Sequence, residues 1–281
     1  MNASSAPSGE PNVLSVSVVV YQPDPAQLVR TLESLRTACD ALELRRSNAP
    51  MELFVVDNGG LSEVDADLGK LRRDDFAVTI ISGHGNVGYG RGHNLAIERA
   101  KSRFHLVLNP DIDIDRSALV QAFDFFDAHP EAGLLTPRVG DDKGDLQYLC
   151  RRYPTLLDLL IRGFMPGRIR ELFSARLAFY EMRDLINERD VVWDPPIVSG
   201  CFMLFRTNLL KTLTGFDPRY FLYFEDYDLS LRTHELARVV YAPAVRVLHH
   251  GGGAARKGAA HIRMFATSAC KFFNRFGWKW L

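Results

Sequence analysis

Three observations predict an α/β fold. Apolar runs rich in β-branched or long aliphatic residues recur at residues 13–20, 53–56, 78–81 and 104–108. Helix-like segments separate the first run from the second and the third from the fourth. Glycines and carboxylates gather where the runs end. Strands alternating with helices imply a parallel sheet with right-handed crossovers. Runs without a polar face suit strands covered on both sides.

The elements follow in order. Residues 1–12 are small, polar and proline-containing, and read as a disordered tail. After the first strand, Asp24 and Pro25 have the cap-plus-proline order that opens a helix, which runs to about residue 41. The second strand ends in the turn Asp57-Asn58-Gly59-Gly60. A glycine-rich stretch, Gly83 to Gly92, follows the third strand, and residues 94–100 read as a helix. Ligands of parallel sheets sit at the carboxyl ends of the strands. Asp57, Gly83 to Gly92 and Asp111 all fall there. In the second half, residues 151–190 read as helical and 197–205 as a strand. Residues 215–228 form a turn and an aromatic, acidic segment; residues 239–248 are strand-like. The histidine-glycine loop from His249 to Gly253 follows, and residues 266–281 are basic and aromatic. The expected organisation is one domain over 13–265, with a nucleotide half (13–115) and an acceptor half (116–265) sharing a sheet.

Composition excludes several classes. Lys plus Arg and Asp plus Glu both number 34, so global charge offers no basis for nucleic-acid binding. Cys39, Cys150, Cys201 and Cys270 form no C-x-x-C pair, which argues against structural zinc and fits a reducing compartment. The first apolar run lacks a basic lead and a cleavage site, and no run reaches the ~18–20 apolar residues of a membrane span. The expected location is cytoplasmic, with contact at the inner face of the plasma membrane an open option.

Chemistry concentrates in four places. Asp111, Asp113 and Asp115 alternate with isoleucine, and a continuing strand would put all three on one face. Crowded carboxylates need a cation, and oxygen donors suit Mg²⁺ or Mn²⁺ shared with phosphates; a solvated strand edge is the plain alternative. Gly83 to Gly88 matches G-x-G-x-x-G, but it follows the third strand and no acid stands about 20 positions on. It reads instead as a flexible loop close to a ligand, with Arg91, His93 and Asn94 as donors. Glu225 and Asp226 lie among aromatics, where an apolar wall would raise a carboxyl pKa and favour general-base work. The local alternative is that Glu225 caps a helix and Asp226 pairs with Arg232. His249 and His250 are candidate metal ligands.

Taken together, these segments resemble the GT-A-fold family 2 glycosyltransferases, and within them the bacterial rhamnosyltransferase-like branch. The matching pieces are Ser17 to Tyr21, Val55 to Gly59, Asn86 to Asn94, Leu108 to Asp111, Ser199 to Leu204, Gly215 to Leu229 and His249 to Gly252. They stand in family order over roughly residues 14–253; each is weak alone, and the ordered set is specific. The resemblance implies an inverting transferase moving a sugar, L-rhamnose from dTDP-rhamnose first among candidates, onto a glycan or polyprenyl-linked glycan in surface polysaccharide synthesis. It implies Asp226 as catalytic base with Glu225 contacting the acceptor. Donor contacts would come from Tyr21, Asp57, Asn86, Gly88, Arg91, Asn94 and Asn109. Metal ligands would be Asp111, Asp113 and His249, with His250 competing for the histidine place. Asn109 stands where the family's D-x-D has its first acid, and Tyr21-Gln22 where many members have Tyr-Asn. Rival readings are a UDP-sugar donor, a nucleotidyltransferase lacking its lysine-containing glycine loop, and a degenerate glycan-binding protein. The terminal aromatic segment suits a lipid headgroup interface, a homodimer contact or packing on the domain.

Overall fold

The computed structural model describes residues 13–46, 50–61, 76–251 and 258–281; the expected tail and Gly252-Gly253 lie outside these. Strands β1 (Leu14–Val20), β2 (Met51–Asp57), β3 (Phe76–Ile81) and β4 (Phe104–Leu108) pair in parallel in the order β3-β2-β1-β4. The sheet continues through β8 (Phe202–Arg206), β6 (Ala132–Gly140), β9 (Arg238–His249) and β5 (Ile112–Ile114), while β7 (Val192–Trp193) pairs with β9. Among the described strands, only β5, β7 and β8 run against the others. Strand order reverses between β1 and β4, and ligand crevices open at such points in parallel sheets.

Helix α1 (Pro25–Arg45) starts as the sequence predicts, with the Asp24 side chain accepting from Gln27 N at 3.0 Å. It buries Leu28, Leu32, Leu35, Cys39 and Leu42, the helical spacing of one face. With α3 (Ala118–Ala128) it covers the sheet side that carries Leu14, Val16, Val18 and Val20. The opposite face of β1 is polar. Ser15 and Ser17 both bond His105 of β4, and Ser17 Oγ lies 2.7 Å from His93 Nδ1 on α2 (Tyr89–Arg99). These buried groups bond one another, as burial requires, while His93 Nε2 is left without a hydrogen-bond partner.

Three expectations change. Helix α2 begins at Tyr89, not at residue 94, so Gly90 and Gly92 form its first turn and not a flexible loop. A Cβ on Gly90 would stand 2.8 Å from Phe216 Cβ, and one on Gly92 would stand 2.9 Å from Val19 Cγ1. These glycines let the helix sit close on β1. The strand expected over 197–205 begins only at Phe202; Ile197 makes a single bridge to Arg151. The C-terminal segment is helical over α9 (Ala259–Phe276), which crosses the expected boundary at 265/266. Phe272 and Phe273 are wholly buried, and the Lys279 carbonyl accepts from Leu156 N at 2.9 Å, so this segment packs on the domain. Trp280 stays 67% exposed. Among the described residues no helix is long and apolar enough to cross a membrane.

Helices α4 (Leu156–Phe164), α5 (Gly167–Leu172) and α6 (Ser174–Tyr180) form a helical insertion that stops ten residues short of the stretch expected over 151–190, residues 181–190 being turns and irregular chain. Helix α7 (Thr207–Thr212) follows β8, and α8 (Glu225–Thr233) precedes β9.

Candidate active site

The crevice is built from strand ends. Asp57 closes β2, and its Oδ1 accepts from Gly59 N at 2.8 Å. The exposed Tyr21 ring lies against Gly59. Asn86 Oδ1 accepts from Gly88 N at 3.0 Å, a side-chain turn that leads into α2. Gly88 is left-handed (φ 90°), and a Cβ there would collide with the Phe221 carbonyl. Its own carbonyl accepts from buried Asn58 Nδ2 at 3.0 Å, tying the β2 turn to the glycine turn.

Two expected donor contacts are engaged elsewhere. Arg91 Nε donates to Pro218 O at 2.5 Å. The Asn94 amide clamps Phe216, donating to its carbonyl at 2.7 Å and accepting from its N–H at 2.8 Å. Both hold the 216–218 segment against α2. His93, considered as a donor, is fully buried on Ser17, and burial then His105 push its pKa well down, so it is a neutral core residue.

The three aspartates after β4 separate, because β5 is only three residues long. Ile112 and Ile114 are buried. Asp115 turns back to accept from Ser117 N at 2.8 Å at the entry to α3. Asp113 Oδ2 meets His250 Nε2 at 2.8 Å, and His250 Nδ1 meets Asp142 at 2.5 Å. Asp111 faces the crevice, with His249 Nε2 3.5 Å from its Oδ1. Antiparallel pairing of Ile112 with His249 sets that approach. The structure thus sorts the adjacent histidines: His249 goes with Asp111, and His250 with Asp113. Among the described residues no three His, Cys, Asp or Glu side chains form a metal cluster. Asp111 Oδ1 is nonetheless buried without a hydrogen-bond partner. Burial opposes its ionisation, but His249 and the Asn109 amide hold its pKa below the usual value. An ionised, orphaned oxygen beside an imidazole fits a divalent cation completed by phosphate oxygens.

Glu225 and Asp226 open α8. The two residues before them, Tyr223 (φ 72°) and Phe224 (φ 67°), are both left-handed, an expensive conformation for bulky side chains. Packing on α9 holds them. Phe224 is 3% exposed and lies 5.1 Å from the Phe265 ring and 5.3 Å from Phe272, and Tyr223 Oη bonds His261 Nδ1 at 2.9 Å. The local alternative for this segment falls: Asp228, not Asp226, takes Arg232 at 2.6 Å, and Arg275 adds a contact at 2.7 Å. Asp226 instead accepts from Gly200 N at 3.0 Å and from Tyr227 N at 2.9 Å. Burial raises its pKa while these N–H groups resist the rise. Glu225 is buried with Oε2 unpartnered. Burial and the Asp226 charge push its pKa up to about 8. Two carboxyls this close in a buried site resist carrying two charges at once. Both line a cavity of about 1170 Å³ bounded by α4–α6 and the start of α9.

Tyr89 and Asn58 had no role assigned from sequence. Tyr89 Oη donates to the Gly200 carbonyl at 2.6 Å, beside Asp226, and its ring meets His93 and Phe216 edge-on. Burial raises its pKa well above the usual value and keeps its hydroxyl protonated. An aromatic between two glycines at a helix start was the available signal.

The description "Glycosyl transferase family 2" matches residues 15–214. The N-acetylglucosaminyl-diphospho-decaprenol L-rhamnosyltransferase of Mycobacterium tuberculosis (strain H37Rv) is 28% identical over 285 residues, 95% of this chain and 86% of that one. Rhamnosyltransferase WbbL of Escherichia coli (strain K12) is 30% identical over 179 residues, 60% of this chain and 63% of that one. Among solved structures, S. aureus TarS 1-349 in complex with UDP-GlcNAc superposes with a TM-score of 0.57 at 18% identity, covering 93% of this chain and 67% of that one. GalNAc-T7 with UDP, GalNAc and Mn²⁺ gives a TM-score of 0.58 at 13% identity, covering 85% and 44%. These two structural likenesses show a shared fold.

Proposed function

Because the chain belongs to glycosyl transferase family 2 and is a glycosyltransferase, we propose that it transfers L-rhamnose from dTDP-rhamnose, with inversion, to a lipid-linked glycan at the cytoplasmic face of the membrane. The observation that carries the donor and acceptor is the 28% identity to a decaprenol-linked rhamnosyltransferase over 95% of the chain. The observation that carries the mechanism is the Glu225–Asp226 pair at the wall of a large cavity, with Asp226 held by the Gly200 and Tyr227 N–H groups.

Asp226 is the base. Its carboxylate takes the acceptor hydroxyl proton as the acceptor oxygen bonds the anomeric carbon and the bond from that carbon to the diphosphate oxygen breaks. One displacement inverts the anomeric configuration. A raised pKa makes Asp226 a stronger base, and the Gly200 and Tyr227 N–H groups orient it. Tyr89 fixes the Gly200 turn from behind. Glu225, kept neutral, can donate to the acceptor without repelling the charge on Asp226. Asp111 and His249 would hold Mg²⁺ or Mn²⁺, which when bound supplies Lewis-acid neutralisation of the leaving diphosphate. In this reading Asp113 lies outside the metal shell, because His250 engages it. Asp57, Tyr21, Asn109 and the Asn86–Gly88 turn face the nucleotide, while Arg91 and Asn94 support the donor site through the 216–218 segment. The division into a donor half and an acceptor half follows the same line, with α9 joined to the acceptor half.

The test is product formation from dTDP-rhamnose and an N-acetylglucosaminyl-diphospho-lipid, with Mn²⁺ and with EDTA, and NMR of the new linkage. Rhamnosylated product of inverted configuration, formed only with metal, is expected. Transfer from UDP-glucose or UDP-galactose but not from dTDP-rhamnose overturns the donor, and retained configuration overturns the mechanism.

A further inference from the structure

The cavity that holds Glu225 and Asp226 also carries charge of the opposite sign. Arg151, Arg162, Arg170 and Arg183 line it, and among the described lining residues Glu171 and Glu181 are the carboxylates besides the catalytic pair. Around Glu181 the imbalance is local. Its carboxylate takes Arg183 Nη2 at 2.6 Å and Arg162 Nε at 3.3 Å, with Arg151 Nη2 at 3.9 Å. Three guanidiniums on one carboxylate leave two formal positive charges. A purely structural ion pair would not need them.

These cations differ in how they are held. The Arg151 side chain is 5% exposed, and its Nη1 donates to the Tyr148 and Cys150 carbonyls. Those bonds fix the charge without neutralising it, and solvent screens it poorly. Arg183 gives both Nε and Nη2 to Glu181 Oε2. Among the described hydrogen bonds, the terminal nitrogens of Arg162 and the whole guanidinium of Arg170 make none. Arg162 and Arg170 thus line the cavity with donors to spare, beside Arg151 and Arg183, whose donors are engaged. Leu159, Phe164, Leu177, Ile262 and Phe265 supply an apolar wall in the same cavity.

One space thus holds a base for a hydroxyl proton, cations for an anion and an apolar wall for hydrocarbon. Resting on the transferase reading above, we infer that Arg162 and Arg170, backed by Arg151 and Arg183, form a subsite for a diphosphate carried by the acceptor. The apolar wall receives the first carbons of its alkyl chain. Guanidinium forks suit phosphate oxygens in a way that a lysine point charge does not. The subsite selects acceptors whose reacting sugar is attached directly to the diphosphate, because the cavity that holds Asp226 also holds the arginines.

The test is calorimetric titration with decyl diphosphate in EDTA, which removes any metal-held phosphate site, on the wild-type chain and on Arg162→Gln, Arg162→Lys and Arg168→Gln. Arg162 is half-exposed, so its variants should fold, and Arg168 sits on the same insertion without lining the cavity. Binding to wild type, weakened about tenfold or more in Arg162→Gln, less in Arg162→Lys and unchanged in Arg168→Gln, is expected. No binding to wild type, or equal binding to wild type and Arg162→Gln, overturns the subsite. Inorganic pyrophosphate distinguishes the source: weaker binding than decyl diphosphate shows a lipid-borne group, and equal binding supports an anion subsite while removing the alkyl contact. Failure of rhamnosyl transfer with decyl diphosphate binding intact refutes the transferase donor or acceptor and leaves the subsite standing.

Discussion

Asp226→Asn isolates the base from the site that holds it. The carboxylate accepts from two backbone N–H groups, Gly200 at 3.0 Å and Tyr227 at 2.9 Å. An asparagine has one acceptor oxygen, so one of those N–H groups will face an NH₂. The local cost is about 1–3 kcal/mol, the usual price of an unpaired buried donor. Asp226 is half-buried, so the lower part of that range is expected and the protein should fold. The catalytic cost is larger: loss of a general base typically removes ~10²–10⁴ in rate, or ~2.7–5.4 kcal/mol of barrier. Asp226 does not touch Asp111 or His249, so donor affinity should be nearly unchanged. The assay is single-turnover formation of rhamnosylated lipid with saturating donor, beside calorimetric titration of dTDP-rhamnose. A rate within about threefold of wild type would refute Asp226 as the base. A large loss of donor affinity would show that it shapes the donor site instead.

Three further outcomes are expected. Glu225 binds its proton more tightly folded than unfolded, with a pKa of about 8 against an ordinary 4.5. Its contribution to stability is therefore fully present below about pH 4.5 and is lost as pH rises to about 8. Thermal melts from pH 5 to 8 should fall more steeply for wild type than for Glu225→Gln; parallel profiles would contradict the raised pKa. Asp111→Ala should weaken donor binding with Mn²⁺ and leave it unaltered in EDTA, so an unchanged metal dependence would remove Asp111 from the metal shell. Gly88→Ala adds a Cβ against the Phe221 carbonyl at a left-handed position. It should destabilise by about 1–3 kcal/mol and slow transfer, and a wild-type melting temperature would show that the turn relaxes freely.

The parallel half was legible because strands covered on both faces carry continuous apolar sequence, and their last residues mark the crevice. Asp57 and Asp111 were found that way. Helix α2 was read five residues short because Gly90 and Gly92 have low helix propensity; their reason is close approach to Phe216 and Val19, which is tertiary. The aspartate face failed because period two holds only while a strand lasts, and β5 stops after three residues. Adjacent His249 and His250 could not be told apart along the chain. The side-chain contacts decide it, His249 lying by Asp111 and His250 by Asp113 where β5 and β9 end. The final helix was hidden by composition, although Phe265, Phe272, Phe273 and Phe276 recur at helical spacing and bury one face. The Asp228–Arg232 pair is an i,i+4 contact readable locally, whereas Arg275 reaches Asp228 from 47 residues away.

The left-handed pair Tyr223–Phe224 makes the last helix part of the chemistry. The family match ends at residue 214, ahead of the base. Each left-handed bulky residue costs ~1–3 kcal/mol, and rings from α9 offset it. A protein trimmed at the edge of the match would lose the carboxylate pair and the brace that aims it, and with them strand β9 and His249. Such a fragment should turn nothing over, even with donor and metal supplied.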